Sequence, residues 1–194
     1  MILDLHSSMV DIAILEWLHS HTIPYSIPIL QVISYTTTYV SIALAFAVLI
    51  ISIVKKSKAI RRQFYIVATV LIFVAIVSQG LKALIYRDRP FETHPFIEKL
   101  SEAGSSSFPS GHTLEAFAVA TVLSILFSGK KIVIPLFIWA TLVAYSRMAL
   151  GVHYPSDVFA GMVIGVLVGW IVPWIFKRMI PESKVKSGLN KVKS

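Results

Sequence analysis

Long apolar runs with almost no charged residues constrain the fold of this chain more than any other feature. Five of the runs are about 17–25 residues long, the length that an α-helix needs to cross a bilayer. Composition agrees, since 56% of the 194 residues are hydrophobic and only 14% are charged, against about 25% charged in soluble domains. We therefore predict an all-α integral membrane protein with spans near residues 36–54, 63–86, 112–128, 131–150 and 155–176.

The N-terminal segment is predicted to lie on the membrane rather than to cross it. Within residues 3–20, apolar and polar side chains segregate to opposite helical faces, as in an interfacial helix. The apolar face carries Val10, Ile14, Trp17 and Leu18, and the polar face carries Asp4, Ser7, Ser8 and Asp11. Pro24 and Pro28 then interrupt the chain before an apolar run, 27–33, that is too short to cross alone. We expect a bundle of five spans plus this helix; the alternative is six spans, with residues 7–35 crossing as a broken helix.

The basic residues predict the orientation of the bundle. Most of the 18 Lys and Arg residues fall in segments 55–62, 130–131 and 177–193, which a five-span topology places on one side. The positive-inside rule assigns that side to the cytoplasm. Residues 1–180 are expected to form a single domain. Residues 181–194 are expected to form a disordered cytoplasmic tail that meets anionic headgroups rather than nucleic acid.

Three short polar blocks stand at the ends of apolar runs on the opposite side. They are Lys82-x6-Arg89-Pro90, Pro109-Ser110-Gly111-His112 and Ser146-Arg147-x5-His153-x3-Asp157. Ionisable residues at the edge of a membrane are costly and therefore indicate function. Together the blocks supply three cations, two histidines and a carboxylate. The chain contains no cysteine, which excludes thiolate nucleophiles and disulfides.

This inventory fits covalent phosphoryl transfer without a metal, on the phosphate of a lipid. On a continuous helix, Lys82 and Arg89 lie on nearly the same face, about 10 Å apart. Asp157, four residues after His153, can bind one ring nitrogen and leave the other free to attack. The backbone that leads into the third span can bind an anion at a helix start, with His112 at its mouth as a general acid. The structural alternatives are a snorkelling lysine, an ordinary helix cap and an ion pair that locks two helices.

Glu115, one helical turn after His112, is a further candidate. Its carboxylate can raise the pKa of His112 or bind a polar headgroup. The alternative is a solvated carboxylate at the rim of the site.

The three blocks resemble the signature of the type 2 phosphatidic acid phosphatase (PAP2) superfamily, the membrane relatives of vanadium haloperoxidases. The match runs from Lys82 to Asp157. The resemblance implies that His153 forms a phosphohistidine, that Asp157 orients it, and that His112 protonates the leaving group and later activates water. It also implies a set of phosphate-binding groups: Lys82, Arg89, Arg147 and the Ser110–Gly111 backbone. No metal or cofactor is expected, and Asp88, Glu92 and Asp157 form no obvious Mg²⁺ cluster in the sequence.

We expect a lipid phosphatase in the inner membrane of a bacterium, with its site facing the periplasm and its C-terminus in the cytoplasm. Undecaprenyl diphosphate, entering laterally between spans, is the first choice of substrate. Phosphatidylglycerophosphate and the 1-phosphate of lipid A are close alternatives. A lipid phosphotransferase remains open, as does a non-enzymatic anion or lipid carrier, which would need the cations but not His153 or Asp157. No obligate protein partner is expected.

Overall fold

The computed structural model describes residues 3–4, 8–104 and 106–179, and helices make up most of them. The α-helices are α1 (Met9–His21), α2 (Ile27–Val54), α3 (Lys58–Leu84), α4 (Pro90–Thr93), α5 (Gly111–Leu126), α6 (Lys130–Ala149) and α7 (Pro155–Met179). A 3-10 turn, Pro24–Ser26, precedes α2. A short parallel strand pair joins β1 (Leu3–Asp4) to β2 (Ile85–Tyr86).

Among the residues that the structure describes, four helices are long and apolar enough to cross a bilayer: α2 with its preceding turn, α3, α6 and α7. The fifth bundle helix, α5, has only 16 residues, or about 24 Å at 1.5 Å per residue. It packs against each of the other four and is buried along most of its length. The predicted all-α membrane bundle is confirmed.

The predicted boundary of the first span is wrong. Instead of starting near residue 36, α2 begins at Ile27, so the run 27–33 forms its first two turns. Pro28 causes no break because the first turn of a helix leaves its N–H groups unpaired, and a proline there loses no hydrogen bond. The preceding helix, α1, has 13 residues, which is too short to cross a bilayer.

The prediction of an amphipathic N-terminal helix is right for its apolar outer face and wrong for Asp11. Three of the four apolar residues are exposed on the outside of the bundle: Val10, Ile14 and Trp17. Leu18 is buried, and so is Asp11, which is only 4% exposed. The face that carries Asp11 therefore turns toward the protein, where a buried arginine meets it. The side chains of Asp4 and Ser7 lie outside the described residues.

Glycines bring α5 and α7 into backbone contact. A Cβ atom on Gly161 would lie 2.7 Å from the carbonyl oxygen of Ser110, and one on Gly169 would lie 2.6 Å from that of Ala118. Gly165, between them, approaches the backbone of α5 in the same way. Small residues at this spacing let membrane helices pack closely. The contact fixes the start of α7 against the start of α5.

The three polar blocks meet at one end of the bundle, which we call the site end. The α2–α3 and α5–α6 connections and the last turn of α7 lie at the other end, together with the basic residues of 55–62, 130–131 and 177–178. The predicted tail, residues 181–194, lies outside the described residues.

Candidate active site

A cavity of about 610 Å³ opens at the site end between α2, α3 and α5. Its polar end is lined by predicted site residues from all three blocks: Lys82, Arg89, Gly111, His112, Arg147 and His153. Two other predicted residues, Ser110 and Asp157, are fully buried behind this wall. The fold thus brings together groups that are up to 75 positions apart in the printed sequence, between Lys82 and Asp157.

His153 lies in the connection between α6 and α7 and is 2% exposed. The turn depends on Gly151, whose φ of +71° is in the left-handed region and whose Cβ position is taken by the carbonyl oxygen of Glu98. The Nδ1 atom of His153 is 3.6 Å from Asp157 Oδ2. Its Nε2 atom is 3.5 Å from Arg89 Nη1 on the cavity side. A carboxylate beside Nδ1 keeps the ring proton there and leaves the lone pair on Nε2.

Asp157 is held by several donors besides His153. The same oxygen, Oδ2, accepts hydrogen bonds from Ser107 Oγ and from the backbone N–H of Tyr154, the latter at 2.9 Å. Because these donors lie on different elements and hold the same oxygen that faces His153, the carboxylate has one orientation relative to the ring. Asp157 can therefore set the tautomer and the direction of the His153 ring.

Burial lowers the pKa of His153 to about 3, and the nearby Arg147 and Arg89 act in the same direction against the opposing effect of Asp157. The ring is neutral at physiological pH. A neutral imidazole with its Nε2 lone pair facing a cavity is the form that can attack phosphorus.

Lys82 and Arg89 converge on one backbone carbonyl, although not through a continuous helix. The prediction of a continuous helix is wrong because α3 ends at Leu84 and the chain continues as the short extended β2 segment. Lys82 Nζ donates to the carbonyl oxygen of Ser106 at 2.6 Å, and Arg89 Nη2 donates to the same oxygen at 3.3 Å. Arg89 Nη1 also donates to the carbonyl oxygen of Val152 at 2.7 Å.

Arg147 reaches the cavity from the last turn of α6 and is 2% exposed. Its guanidinium donates to Ser34 Oγ on α2, to Ser101 Oγ at 3.3 Å and to the carbonyl oxygen of Glu102 at 3.4 Å. These acceptors are neutral, so they orient the guanidinium without cancelling its charge. Three positive charges therefore face one cavity, where a phosphate would relieve their mutual repulsion.

The start of α5 contributes backbone rather than the Ser110 side chain. Ser110 Oγ shares a hydrogen bond with Thr113 Oγ1 at 2.8 Å, and the Ser110 N–H donates to the carbonyl oxygen of Asp157 at 3.1 Å. Gly111 and His112 do line the cavity. N–H groups of a first helical turn have no partner within their own helix and can bind an anion.

Glu115 lines the cavity one turn deeper than His112. Its Oε2 accepts a hydrogen bond from Thr38 Oγ1 at 2.9 Å. The side chain is half-buried between α5 and α2, so its role at the site stays a prediction.

Sequence reasoning missed two charged residues that lie behind His153. Arg87 donates to Asp157 Oδ1 and, at 2.7 Å, to Asp11 Oδ2. Arg87 could have been suspected from its position two residues before Arg89. No local pattern points to Asp11, which is 76 positions away from its arginine.

Metal independence stays a prediction. Within residues 8–104 and 106–179, no three His, Asp or Glu side chains come together as metal ligands would.

Comparisons with known proteins identify the family to which the chain belongs. The family model described as the PAP2 superfamily matches residues 63–180, more than half of the chain. The chain is 30% identical over 142 residues to the undecaprenyl-diphosphatase BcrC of Bacillus subtilis (strain 168), covering 73% of this chain and 72% of that protein.

Two solved structures share the fold. The crystal structure of Aquifex aeolicus LpxE has a TM-score of 0.77 at 25% identity, with 89% of this chain and 98% of that chain covered. A PAP2-type phosphatidylglycerolphosphate phosphatase from Bacillus subtilis has a TM-score of 0.70 at 22% identity, with coverage of 91% and 90%. Taken with the three blocks at one cavity, these matches show that the chain belongs to the PAP2 superfamily, as one of its membrane lipid phosphatases.

Proposed function

We propose that this protein hydrolyses a lipid diphosphate or phosphate through a phosphohistidine on His153, with undecaprenyl diphosphate as its main substrate. One observation carries the proposal. The Nε2 atom of a neutral histidine, backed by a carboxylate, lies 3.5 Å from Arg89 on the wall of a cavity that Lys82 and Arg147 also line.

In the first step, Nε2 of His153 attacks phosphorus while the bond from phosphorus to the leaving oxygen breaks. Lys82, Arg89, Arg147 and the backbone N–H groups at the start of α5 bind the non-bridging oxygens as their charge redistributes. His112 gives its proton to the leaving oxygen, and Asp157 stabilises the positive charge that develops on the His153 ring.

In the second step, His112 takes a proton from water, whose oxygen attacks the phosphohistidine. The bond between Nε2 and phosphorus breaks, inorganic phosphate leaves, and His153 returns to its neutral form. Interception by the hydroxyl of an acceptor lipid would give phosphotransfer by the same chemistry.

The cavity supports a lipid substrate that enters from the side. Its deeper wall is apolar and comes from α2 and α3, with Ile42, Leu71 and Ile72 among its residues. Ile42 and Ile72 are 43% and 63% exposed on the outside of the bundle. An acyl or isoprenyl chain can therefore lie between α2 and α3 while its phosphate reaches the cations. Similarity to an undecaprenyl-diphosphatase supports the isoprenyl diphosphate, and the shared fold of a phosphatidylglycerolphosphate phosphatase supports that lipid as the second candidate.

Glu115 is proposed to contact the leaving group. It lies one turn below His112 on the side of the cavity toward the lipid chain, and Thr38 fixes one of its oxygens. A carboxyl group at this depth can bind a polar headgroup or adjust the proton affinity of His112.

The site end is proposed to face the periplasm, with the basic end in the cytoplasm. The chain contains no cysteine, so single cysteines can be introduced without other changes. In intact cells, a membrane-impermeant maleimide should label Lys99→Cys at the site end and leave Lys55→Cys unlabelled until the cells are opened. The reverse labelling pattern would contradict this orientation.

The activity is tested by phosphate release from purified protein in detergent with EDTA present. Undecaprenyl diphosphate, phosphatidylglycerophosphate and lipid A are compared, with His153→Ala as the matched variant. Release that persists in EDTA and is lost in the variant would support a metal-independent phosphohistidine route, and the relative rates would identify the lipid. Release that is equal in the variant would contradict the role of His153. The absence of release from every lipid would contradict hydrolysis and favour phosphotransfer or a carrier.

A further inference from the structure

A buried carboxylate from α1 lies behind the candidate nucleophile. The helix spans Met9–His21 and lies outside residues 63–180, the part of the chain that matches the family model. Asp11 is 4% exposed, and its partner Arg87 is 2% exposed. The segment that the family model leaves out therefore reaches the centre of the site.

A continuous chain of contacts runs from Asp11 to the reacting ring. Asp11 Oδ2 accepts from Arg87 Nη2 at 2.7 Å, and Arg87 Nη1 donates to Asp157 Oδ1. The other oxygen of Asp157 faces His153 Nδ1 at 3.6 Å.

Asp11 is also fixed to the start of α7. The backbone N–H of Ser156 donates to Asp11 Oδ1 at 2.9 Å, and the Ser156 hydroxyl donates to Oδ2 at 2.6 Å. Burial alone would raise the pKa of Asp11, but the hydrogen bonds from Ser156 and Arg87 outweigh it and hold the pKa below its usual value. Asp11 is therefore ionised.

The charges of this chain of contacts explain why two carboxylates flank one arginine. Asp11, Arg87 and Asp157 together carry a net charge of about −1, counted from their ordinary protonation states. When Nε2 attacks phosphorus, the ring keeps its Nδ1 proton and gains positive charge, which a net negative network stabilises. Without the charge of Asp11 the network is neutral, because the positive charge of Arg87 then compensates the negative charge of Asp157. Asp157 would therefore stabilise the developing imidazolium less.

We propose that Asp11 is a positioning residue for phosphoryl transfer, which neutralises Arg87 so that the Asp157 carboxylate remains available to His153. The inference rests on the proposed phosphohistidine route. Its effect belongs to the rate of the chemical step and not to lipid binding, because Asp11 does not line the cavity.

A purely structural role for Asp11 makes a different prediction, and the same helix offers the control. Leu15, one turn later, is 2% exposed and packs in a cluster with Ile97 and Tyr154. Leu15→Ala would loosen the docking of α1 while keeping the Asp11 charge. Glu16 is exposed, so Glu16→Gln removes a charge from α1 without touching the network.

The experiment measures single-turnover phosphoryl transfer in detergent with the lipid that the wild-type protein hydrolyses fastest. Enzyme in saturating excess is mixed with substrate labelled in the transferred phosphate, and the rate constant is recorded for wild type, Asp11→Asn, Leu15→Ala and Glu16→Gln. The folded fraction of each protein is measured separately by size-exclusion chromatography. A structural defect lowers the folded fraction, whereas a positioning defect lowers the rate constant of the folded protein. We expect Asp11→Asn to lower the rate constant about tenfold, the smaller end of the effects expected for groups that act through other residues, with the KM measured in the steady state unchanged. Leu15→Ala should lower only the folded fraction, and Glu16→Gln neither quantity.

Two results would overturn the inference. A wild-type rate constant in Asp11→Asn would show that its charge does not reach His153. An equal fall in the rate constants of Asp11→Asn and Leu15→Ala would assign the effect to helix docking. Absence of turnover in the wild-type protein is a separate result, since it removes the proposed function and the inference with it.

Discussion

Two helix interfaces that meet at the site end differ in how closely they pack. Along α5 and α7, three glycines at every fourth position of α7 bring the backbones into contact, and the carbonyl of Asp157 accepts the N–H of Ser110. Along α2 and α3, the packing leaves a cavity of about 610 Å³ whose apolar wall reaches the outside of the bundle. The closed interface holds the candidate reacting groups in register, and the open interface leaves space through which we propose that a lipid reaches them. Catalysis on a membrane lipid needs both, because the reacting groups must stay fixed while a long chain moves in and out.

Asp157→Asn is expected to have the largest effect at the closed interface. The amide keeps the size of the side chain but cannot stabilise a positive imidazole ring, so kcat should fall roughly a thousandfold with little change in KM. Phosphate release from the lipid substrate checks this. The Ser107 hydroxyl is a neutral donor to Oδ2 of Asp157. Its removal in Ser107→Ala should lower kcat far less. Equal losses in the two variants would mean that geometry, rather than charge, is what Asp157 provides.

Gly165→Ala tests the packing of the closed interface directly. An added Cβ would overlap the carbonyl oxygen of Leu114 and lie 3.1 Å from the Ala118 nitrogen. Overpacking against a backbone cannot be relieved by a side-chain rotation, so the free energy of unfolding should fall by about 3 kcal/mol. Gly80→Ala on α3 is the matched control, because nothing lies within 4 Å of its added Cβ. The free energy of unfolding in detergent should be unchanged or slightly higher for Gly80→Ala. Equal stability of the two variants would contradict tight contact between α5 and α7.

The spans, and the meeting of the candidate site residues at one cavity, could be predicted because lipid imposes strong local rules. A backbone in hydrocarbon must satisfy its own hydrogen bonds, so each span is a long apolar run. Polar side chains at the ends of such runs are costly, which made the blocks containing Lys82, His112 and His153 visible. The burial of Asp11 was not predicted, because an amphipathic pattern separates an apolar from a polar face but does not show which face packs against the rest of the protein. The start of α2 was misread because Pro28 is compatible with a helix break and with a first turn.

The folded protein should also lose stability in acid, because His153 is buried beside the closed interface. The unfolded chain takes up a proton near the ordinary pKa of 6.5, whereas burial lowers the pKa of His153 in the folded protein to about 3. The unfolded state therefore binds more protons between these values, so stability is greatest above pH 6.5 and declines as the pH falls toward 3. Between pH 7 and pH 4 the loss should be about 3 kcal/mol. His153→Asn should flatten this part of the curve of unfolding midpoint against pH, and an unchanged curve would assign the acid sensitivity to other groups.

Ala75→Trp is designed to narrow the open interface. Ala75 is exposed on α3 and lines the cavity wall, so an indole there would obstruct the path of a lipid chain. KM for the lipid should rise about tenfold, corresponding to about 1.4 kcal/mol of binding, while kcat changes little. A short water-soluble phosphate ester can approach from the site end, and its hydrolysis should not change. Ile134→Trp, on the exposed surface of α6, is the control. If both substrates were affected alike, lateral access between α2 and α3 would be contradicted.

Glu115→Gln is expected to have the smallest effect, because it alters the cavity between the two interfaces without removing a reacting group. Gln keeps the size of the side chain and can still accept the hydrogen bond from Thr38, so the fold should be unaffected. The loss of the carboxyl charge should change the ratio of kcat/KM between undecaprenyl diphosphate and phosphatidylglycerophosphate by about two- to threefold, the scale of a weak polar contact. The two leaving groups differ in charge, since one is a lipid monophosphate and the other a glycerol hydroxyl, so a carboxylate should disfavour the first. The variant should therefore shift the preference toward the diphosphate.

An unchanged preference and an unchanged pH–rate profile would show that Glu115 does not act in the site. The selection of the lipid would then depend on the apolar wall formed by α2 and α3.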